Sequence, residues 1–261
     1  MSMSVSFERI TPFFRRPATK EPLVDFSILI PFHNEEKNLA PLVQALEDSL
    51  QNLGRDIRWE VLMVDDASTD AGLHLLQGML RGRTNFYLHH LPKRGGQTEA
   101  FRLAFQKAQG RYFLRMDADL QDNPKYIPLF VEKMKEGYDL IMGVRVNRKH
   151  SLFLLWLTYA YDALVSFFFR TGLVTNSGSF IAFRAKFIRA IPMKKNDHRY
   201  LPLIAHHRGA RKTCSLRIPH RRRIHGSTKY PIGKKVFFGI FEMAAFYVRL
   251  VTGFYDWRKN S

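Results

Sequence analysis

From Phe26 onward, short apolar runs alternate with longer segments in which apolar residues recur every three or four positions. Phe26–Pro31 predicts a short strand. A helix follows, entered at Asn38, with Leu39, Leu42, Val43, Leu46, Leu50 and Leu53 on one face and Gly54 as its stop. Trp59–Val64 is almost continuously apolar, as a strand covered on both faces should be. A short helix through Leu73, Leu76 and Met79 leads to a third strand, Phe86–Leu91. Gln97–Gln109 predicts a helix with Phe101, Phe105 and Ala108 inward and Gly110 as its stop. Arg111–Met116 predicts a fourth strand. Pro124–Glu136 is mostly helical, with Pro128 weakening its start, and Tyr138–Val144 makes a fifth strand. Strand and helix alternating at this spacing specify an α/β fold with a doubly wound, mostly parallel sheet.

Such sheets bind ligands outside the carboxyl ends of their strands, and the unusual residues fall there. Asn34, Glu35 and Glu36 follow the first strand, Asp65, Asp66 and Asp70 the second, and Lys93, Arg94, Gly95, Gly96 and Gln97 the third. Asp117, Asp119 and Asp122 follow the fourth, and Arg145 and Arg148 the fifth. If the fourth strand runs on through the acids, Asp117 and Asp119 point the same way. Their carboxylates then repel unless a cation joins them, and hard oxygen ligands suit Mg2+ or Mn2+. Alone, an Asp-x-Asp pair is more often a solvated turn. Five loops converging on one rim favour a site. A metal at Asp119, with basic groups and backbone N–H nearby, would hold a diphosphate, and Glu35 and Asp66 would reach a base or ribose. Neither a dinucleotide fingerprint nor a P-loop is present.

Charge and composition extend this picture. The 261 residues, 46% hydrophobic, suffice for one large domain or two small ones, and the net charge of +18 calls for an anionic partner. Residues 1–22 read as a basic extension without a secretory signal, and the one cysteine, Cys214, suits a reducing compartment. Leu152–Phe169 is apolar apart from Asp162. Trp156, Tyr159 and Tyr161 favour an amphipathic helix at a membrane interface over a buried core helix. Between His198 and Phe241 stand eleven Lys and Arg and no acid, with an edge strand expected over Arg211–His220. Val236–Trp257 is rich in aromatics, and its Glu242 and Arg249, seven apart, share a helix face. A basic run followed by such a segment reads as a peripheral membrane anchor. A nucleic-acid partner would explain the charge. It would leave three acids at the cleft centre unexplained, and no nucleic-acid module is present.

Four motifs in order, Pro31-Phe-His-Asn-Glu35, Val64-Asp-Asp-Ala-Ser-Thr-Asp70, Gly96-Gln-Thr-Glu-Ala100 and Met116-Asp-Ala-Asp-Leu-Gln-Asp-Asn-Pro124, resemble those of family 2 glycosyltransferases of the GT-A fold. Tyr138-Asp-Leu-Ile-Met-Gly-Val-Arg145, His220-Arg-Arg-Arg223 and Gly226-Ser-Thr-Lys229-Tyr230 place the likeness nearest the dolichyl-phosphate mannose synthase and bacterial polyprenyl-phosphate branch. The resemblance covers about Asp25 to Tyr230. It implies a GT-A domain over 23–235 with an interfacial helix at 152–169, and a membrane-associating segment over 236–261. It implies inverting transfer of one sugar from a nucleotide-diphosphate sugar to a polyprenyl phosphate. The place of action would be the cytoplasmic face of a membrane, the bacterial inner membrane first, with peripheral or monotopic attachment. Pro31, Glu35 and Asp66 would contact the nucleoside, Asp117 the ribose and diphosphate, and Asp119 the metal. Gln121 and Asp122 would border the sugar, and Arg145 with the Arg223–Lys229 segment would face phosphates. UDP and GDP donors both fit, as do a monomer and a homo-oligomer.

The chain departs from the family at Asn176-Ser177-Gly178-Ser179, where an acid-bearing Asp-x-Gly element is usual. A hydroxyl acceptor normally needs a base within reach. A phosphate monoester, with a second pKa near ~6, is already ionised and needs only positioning, for which Arg145, Arg148, Arg223 and Lys229 are available. The departure therefore favours a lipid phosphate. A glycan or glycolipid hydroxyl acceptor and an inactive binding protein stand as alternatives.

Overall fold

The structure is a computed structural model. It describes residues 22–146, 169, 178–219 and 232–256, and no side chain at 145, 146 or 232–240. The interfacial helix expected at 152–169 (apart from Phe169), Arg148, Asn176, Ser177, Arg223 and Lys229, the side chain of Arg145 and nearly all of the 1–22 extension lie outside the described residues.

Seven strands form one sheet in the order β3-β2-β1-β4-β6-β5-β7. The strands are β1 (Val24–Phe32), β2 (Trp59–Asp65), β3 (Phe86–His90), β4 (Gly110–Arg115), β5 (Leu140–Val146), β6 (Ile181–Arg184) and β7 (Thr213–Pro219). Only β6 runs against its neighbours. The chain winds from β1 out to β3, then crosses back so that β4 lies on the other side of β1. The strand order reverses there, which is where an open α/β sheet forms its ligand crevice. β7 is the edge strand expected from 211–220.

Alternate residues of each strand feed two cores. Phe26, Ile28 and Ile30 of β1 and Val61 and Met63 of β2 pack on one face with α1 (Glu36–Gln51) and α4 (Ile127–Lys135). Leu29, Leu62, Val64 and Phe113 pack on the other with α3 (Gln97–Lys107), α5 (Leu201–His207) and α6 (Ile232–Val251). Both faces are covered, which explains the near-continuous apolar runs. α2 (Gly72–Met79) follows β2.

Three local expectations are corrected. Asn38 is not the cap of α1: the helix begins at Glu36, and Asn38 lies in its first turn, donating Nδ2 to Glu35 Oε2 at 2.6 Å. Gly110 does not stop α3, which ends at Lys107. It opens β4, where a Cβ would lie 2.5 Å from Ser27 N. The fourth strand ends at Arg115, so the acids do not continue it. Asp117 and Asp119 therefore do not share a strand face.

α6 begins inside the expected 23–235 domain. Its Met243, Phe246 and Leu250, with Tyr255 beyond it, belong to the same core as Phe101 and Phe113. Glu242 and Arg249 share a face, as their spacing requires, and that face turns to the 194–199 loop. Arg199 Nη1 donates to Glu242 at 3.0 Å, and Arg249 Nη2 donates to Asp197 at 2.7 Å. The opposite face exposes Phe241, Val248 and Val251.

Candidate active site

The rim is built from the loops after β1, β2, β3 and β4. The first two are laced together. Asn34, at φ 55°, takes a bond from Thr69 N at 2.8 Å and gives its own N–H to Ser68 Oγ at 2.9 Å. Asp70 accepts from Glu36 N at 3.0 Å, next to the α1 start. Asp65, fully buried, accepts from Ser68 N at 3.0 Å and pairs with His90 Nδ1 at 2.8 Å. It pins the turn that presents Asp66.

Asp66 is 5% exposed, and its carboxylate is held by backbone N–H groups: Gly95 N at 2.6 Å and Gly96 N at 2.9 and 3.0 Å. The glycine pair therefore orients Asp66. Gly96 holds φ 79°. An L side chain is strained at that angle. Pro31 is buried on β1 opposite Val64, and Glu35 is half-buried at the start of α1.

Beyond β4 the chain makes a turn through the acids. Asp117 is half-buried and accepts from Gln97 Nε2 at 3.2 Å, which joins the start of α3 to the acid turn. Asp119 is 4% exposed and accepts from Gln121 N at 3.1 Å. Leu120 between them holds φ 60°, a strained angle for a leucine. Asp122 is buried, and Asn123 caps the next 3-10 turn by accepting from Lys125 N at 3.1 Å. The structure thus brings Pro31, Glu35, Asp66, Gly96, Asp117, Asp119, Gln121 and Asp122 to one rim. Arg145 lies within β5, opposite Ile218 of β7, at the carboxyl end that faces the same rim.

Sequence reasoning missed a group behind the acid turn. His198 Nδ1 meets Thr98 Oγ1 at 2.8 Å, and the same hydroxyl accepts from Asn196 N at 3.0 Å. The Thr98 hydroxyl thus joins the imidazole of His198 to the backbone of the 194–199 loop. Burial, then Arg115 and Arg199, lowers the His198 pKa to about 3. Arg115 donates to the His198 carbonyl at 2.5 Å. Thr98 lies in a helix, Arg115 in a strand and His198 in a short 3-10 turn, and only the fold brings them together.

The sheet order and covering helices define the GT-A fold. The fold agrees with that of glucosyl-3-phosphoglycerate synthase from Mycobacterium tuberculosis, solved with Mn2+, uridine diphosphate and phosphoglyceric acid. That likeness has a TM-score of 0.59 at 14% identity, over 87% of this chain and 76% of that one. Residues 27–195 match glycosyl transferase family 2, and the chain belongs to that family. It is 32% identical over 212 residues to an undecaprenyl-phosphate 4-deoxy-4-formamido-L-arabinose transferase of Pseudomonas paraeruginosa, covering 80% of this chain and 61% of that protein. It is 31% identical to a dodecaprenyl-phosphate galacturonate synthase of Rhizobium johnstonii, covering 83% of this chain and 65% of that protein. The chain thus spans under two thirds of the length of both relatives.

Proposed function

We propose that the protein transfers one sugar, with inversion, from a nucleotide-diphosphate sugar to a polyprenyl phosphate at a membrane surface. The observation that carries this reading is the gathering of Glu35, Asp66, Asp117 and Asp119 at the switch point of the sheet. The names of the relatives, both prenyl-phosphate sugar transferases, support the acceptor.

The residues fit a small hard cation. Asp117 and Asp119 offer carboxylate oxygens. Among the described residues no group of three or more His, Cys, Asp or Glu forms a metal shell. Carboxylate oxygens suit Mg2+ or Mn2+, which fill the rest of their shell with water and substrate phosphate. When bound, the ion would offset the charge gathering on the departing diphosphate. Asp66, fixed by Gly95 and Gly96, would hold the nucleoside with Glu35 and Pro31, and Gln121 and Asp122 would border the sugar. The acceptor phosphate oxygen attacks the anomeric carbon as the diphosphate leaves on the opposite face. The ionised phosphate needs no base, which accords with the absence of a carboxylate at 176–179. Arg145, Arg148, Arg223 and Lys229 would steady it.

Attachment is assigned to the outer face of α6. Phe241, Val248 and Val251 are 61%, 57% and 59% exposed on a helix that already buries its opposite face. Among the described residues no helix is long and apolar enough to cross a membrane, so the helix would lie in the interface. The basic run before it adds ~1 kcal/mol per residue close to an anionic leaflet.

The test offers matched polyprenyl phosphate and polyprenol in vesicles, each with the same nucleotide-sugar. Product should form from the phosphate alone. Comparable product from the alcohol would overturn the reading and make Asp122 the first candidate base.

A further inference from the structure

The buried face of α1 is Leu and Val at every position but two. Ser49 donates Oγ to the Pro124 carbonyl at 2.7 Å, which ties the helix to the 3-10 turn after the acids. Asn38 is 2% exposed, and its side chain turns to the rim instead: Nδ2 donates to Glu35 Oε2 at 2.6 Å. A carboxylate only accepts, so the amide nitrogen must face Glu35 and the amide oxygen must face away from it. That Oδ1 is buried and has no hydrogen-bond partner among the described residues.

A buried acceptor without a partner destabilises the fold, and a leucine would fill similar space with a better helix propensity. The helix start does not need the amide either. Asn38 N and Leu39 N already donate to the Glu35 carbonyl at 2.8 and 3.2 Å, so the first turn is closed without the side chain. The neighbours of Glu35 point elsewhere. Asn34 bonds Ser68 and Thr69, Glu36 N donates to Asp70 at 3.0 Å, and Glu36 Oε2 accepts from Ala71 N at 3.3 Å. Those bonds knit the loop after β1 to the loop after β2. Glu35, between them, is gripped from within its own helix.

We propose that Asn38 is a positioning residue for the nucleoside: it donates to Glu35 and fixes that carboxylate in the orientation that meets the ligand. The inference rests on the reading of Glu35 as a nucleoside contact. A carboxylate fixed in advance loses no rotamer freedom when the ligand arrives, so binding is spared that entropy. Without the donor the carboxylate turns among its rotamers, and the ligand must order it. Asn38 touches no ligand atom and acts only through Glu35.

The experiment measures binding of uridine diphosphate and of guanosine diphosphate, each with Mn2+, by calorimetry. The proteins are the wild type, Asn38→Leu, Asn38→Ala, Glu35→Ala and the double variant Glu35→Ala with Asn38→Leu. Melting points are taken without ligand. Leucine fills the space and alanine does not, and both remove the donor. Both Asn38 variants should bind the diphosphate that the wild type prefers about tenfold more weakly. Asn38→Leu should melt no lower than the wild type, and Asn38→Ala should melt below it. Once Glu35 is alanine, adding Asn38→Leu should change the affinity by less than about twofold. Affinity within about twofold of the wild type in either Asn38 variant overturns the proposal, as does a full further loss on top of Glu35→Ala. So does an Asn38→Leu protein that melts below Asn38→Ala or does not fold, which would make the amide a structural group. Unchanged affinity in Glu35→Ala, or a wild type that binds neither diphosphate, would instead sink the nucleoside reading beneath it.

Discussion

Asp119 and Asp197 are both buried, at 4% and 0% exposure, yet their surroundings differ in kind. Asp197 accepts from Arg249 Nη2 at 2.7 Å, Tyr255 OH at 2.7 Å and Lys194 N at 2.6 Å. Two of those donors lie in and just beyond α6, more than fifty residues away. Asp119 accepts from Gln121 N, within its own turn, at the carboxyl edge of the sheet. Burial alone therefore does not tell the two acids apart. Asp197 is bonded by a distant helix and ties α6 to the domain, whereas Asp119 lies in a turn at the crevice of the sheet, where the proposed function gives it a ligand to hold.

The comparison is tested most sharply at Asp119. Under the proposed function, Asp119→Asn should lower transfer by about a thousandfold, or about 4 kcal/mol in the barrier. Its melting point should stay close to that of the wild type. Near-full turnover, or wild-type turnover undiminished in chelator, would refute the metal role. Asp197→Ala should do the reverse. It removes the carboxylate partner of Arg249 and the acceptor of a buried tyrosine, so unfolding in denaturant should show a loss of about 3 kcal/mol. A stability change under about 1 kcal/mol would mean the hub is redundant.

The same distinction governs what could be read from the sequence. The strands and α1 were legible because each repeats its apolar residues at its own period, and both sheet faces are buried. The rim acids were legible because they sit at strand ends, where the topology gathers them. Asp197, His198 and Arg115 were not. Asp197 follows Asn196, whose φ of 70° begins a short 3-10 turn with no apolar period. Its partners are defined only once α6 has folded back. β6 is four residues long and α5 seven, too short for periodicity to declare them. The bond from Gly96 N to Asp66 was not legible either, because a sequence does not reveal where an N–H points.

A smaller effect is expected at His198, beside the hub. The unfolded chain takes up a proton near the ordinary value of 6.5, whereas the folded histidine resists it down to about 3. The unfolded state binds more protons in that window. The contribution is therefore complete above 6.5 and is lost as the pH falls from 6.5 towards 3. Between pH 7 and pH 5 the loss from this group is about 2 kcal/mol. Denaturant midpoints measured across that range should show it, and His198→Gln should flatten the slope by that amount. An unchanged slope would mean that His198 takes up its proton as readily in the fold as in the unfolded chain.

The smallest effect isolates depth from charge. Glu242 bonds the same loop as Arg249 does, through Asn196 Nδ2 at 2.5 Å and Arg199 Nη1 at 3.0 Å. Its side chain is 33% exposed and that of Arg199 is 56% exposed, against 0% for Asp197. Water screens the pair, and the two long side chains lose rotamer freedom to meet, so such bridges contribute at most about 1 kcal/mol. Glu242→Gln retains an acceptor for Asn196 and removes the charge. Its cost in denaturant melts should be about 0.5 kcal/mol, shrinking further at 1 M salt, where screening acts over ~3 Å. A loss as large as that of Asp197→Ala, persisting in high salt, would show that charge on the loop, not burial of its anchor, fastens α6 to the domain.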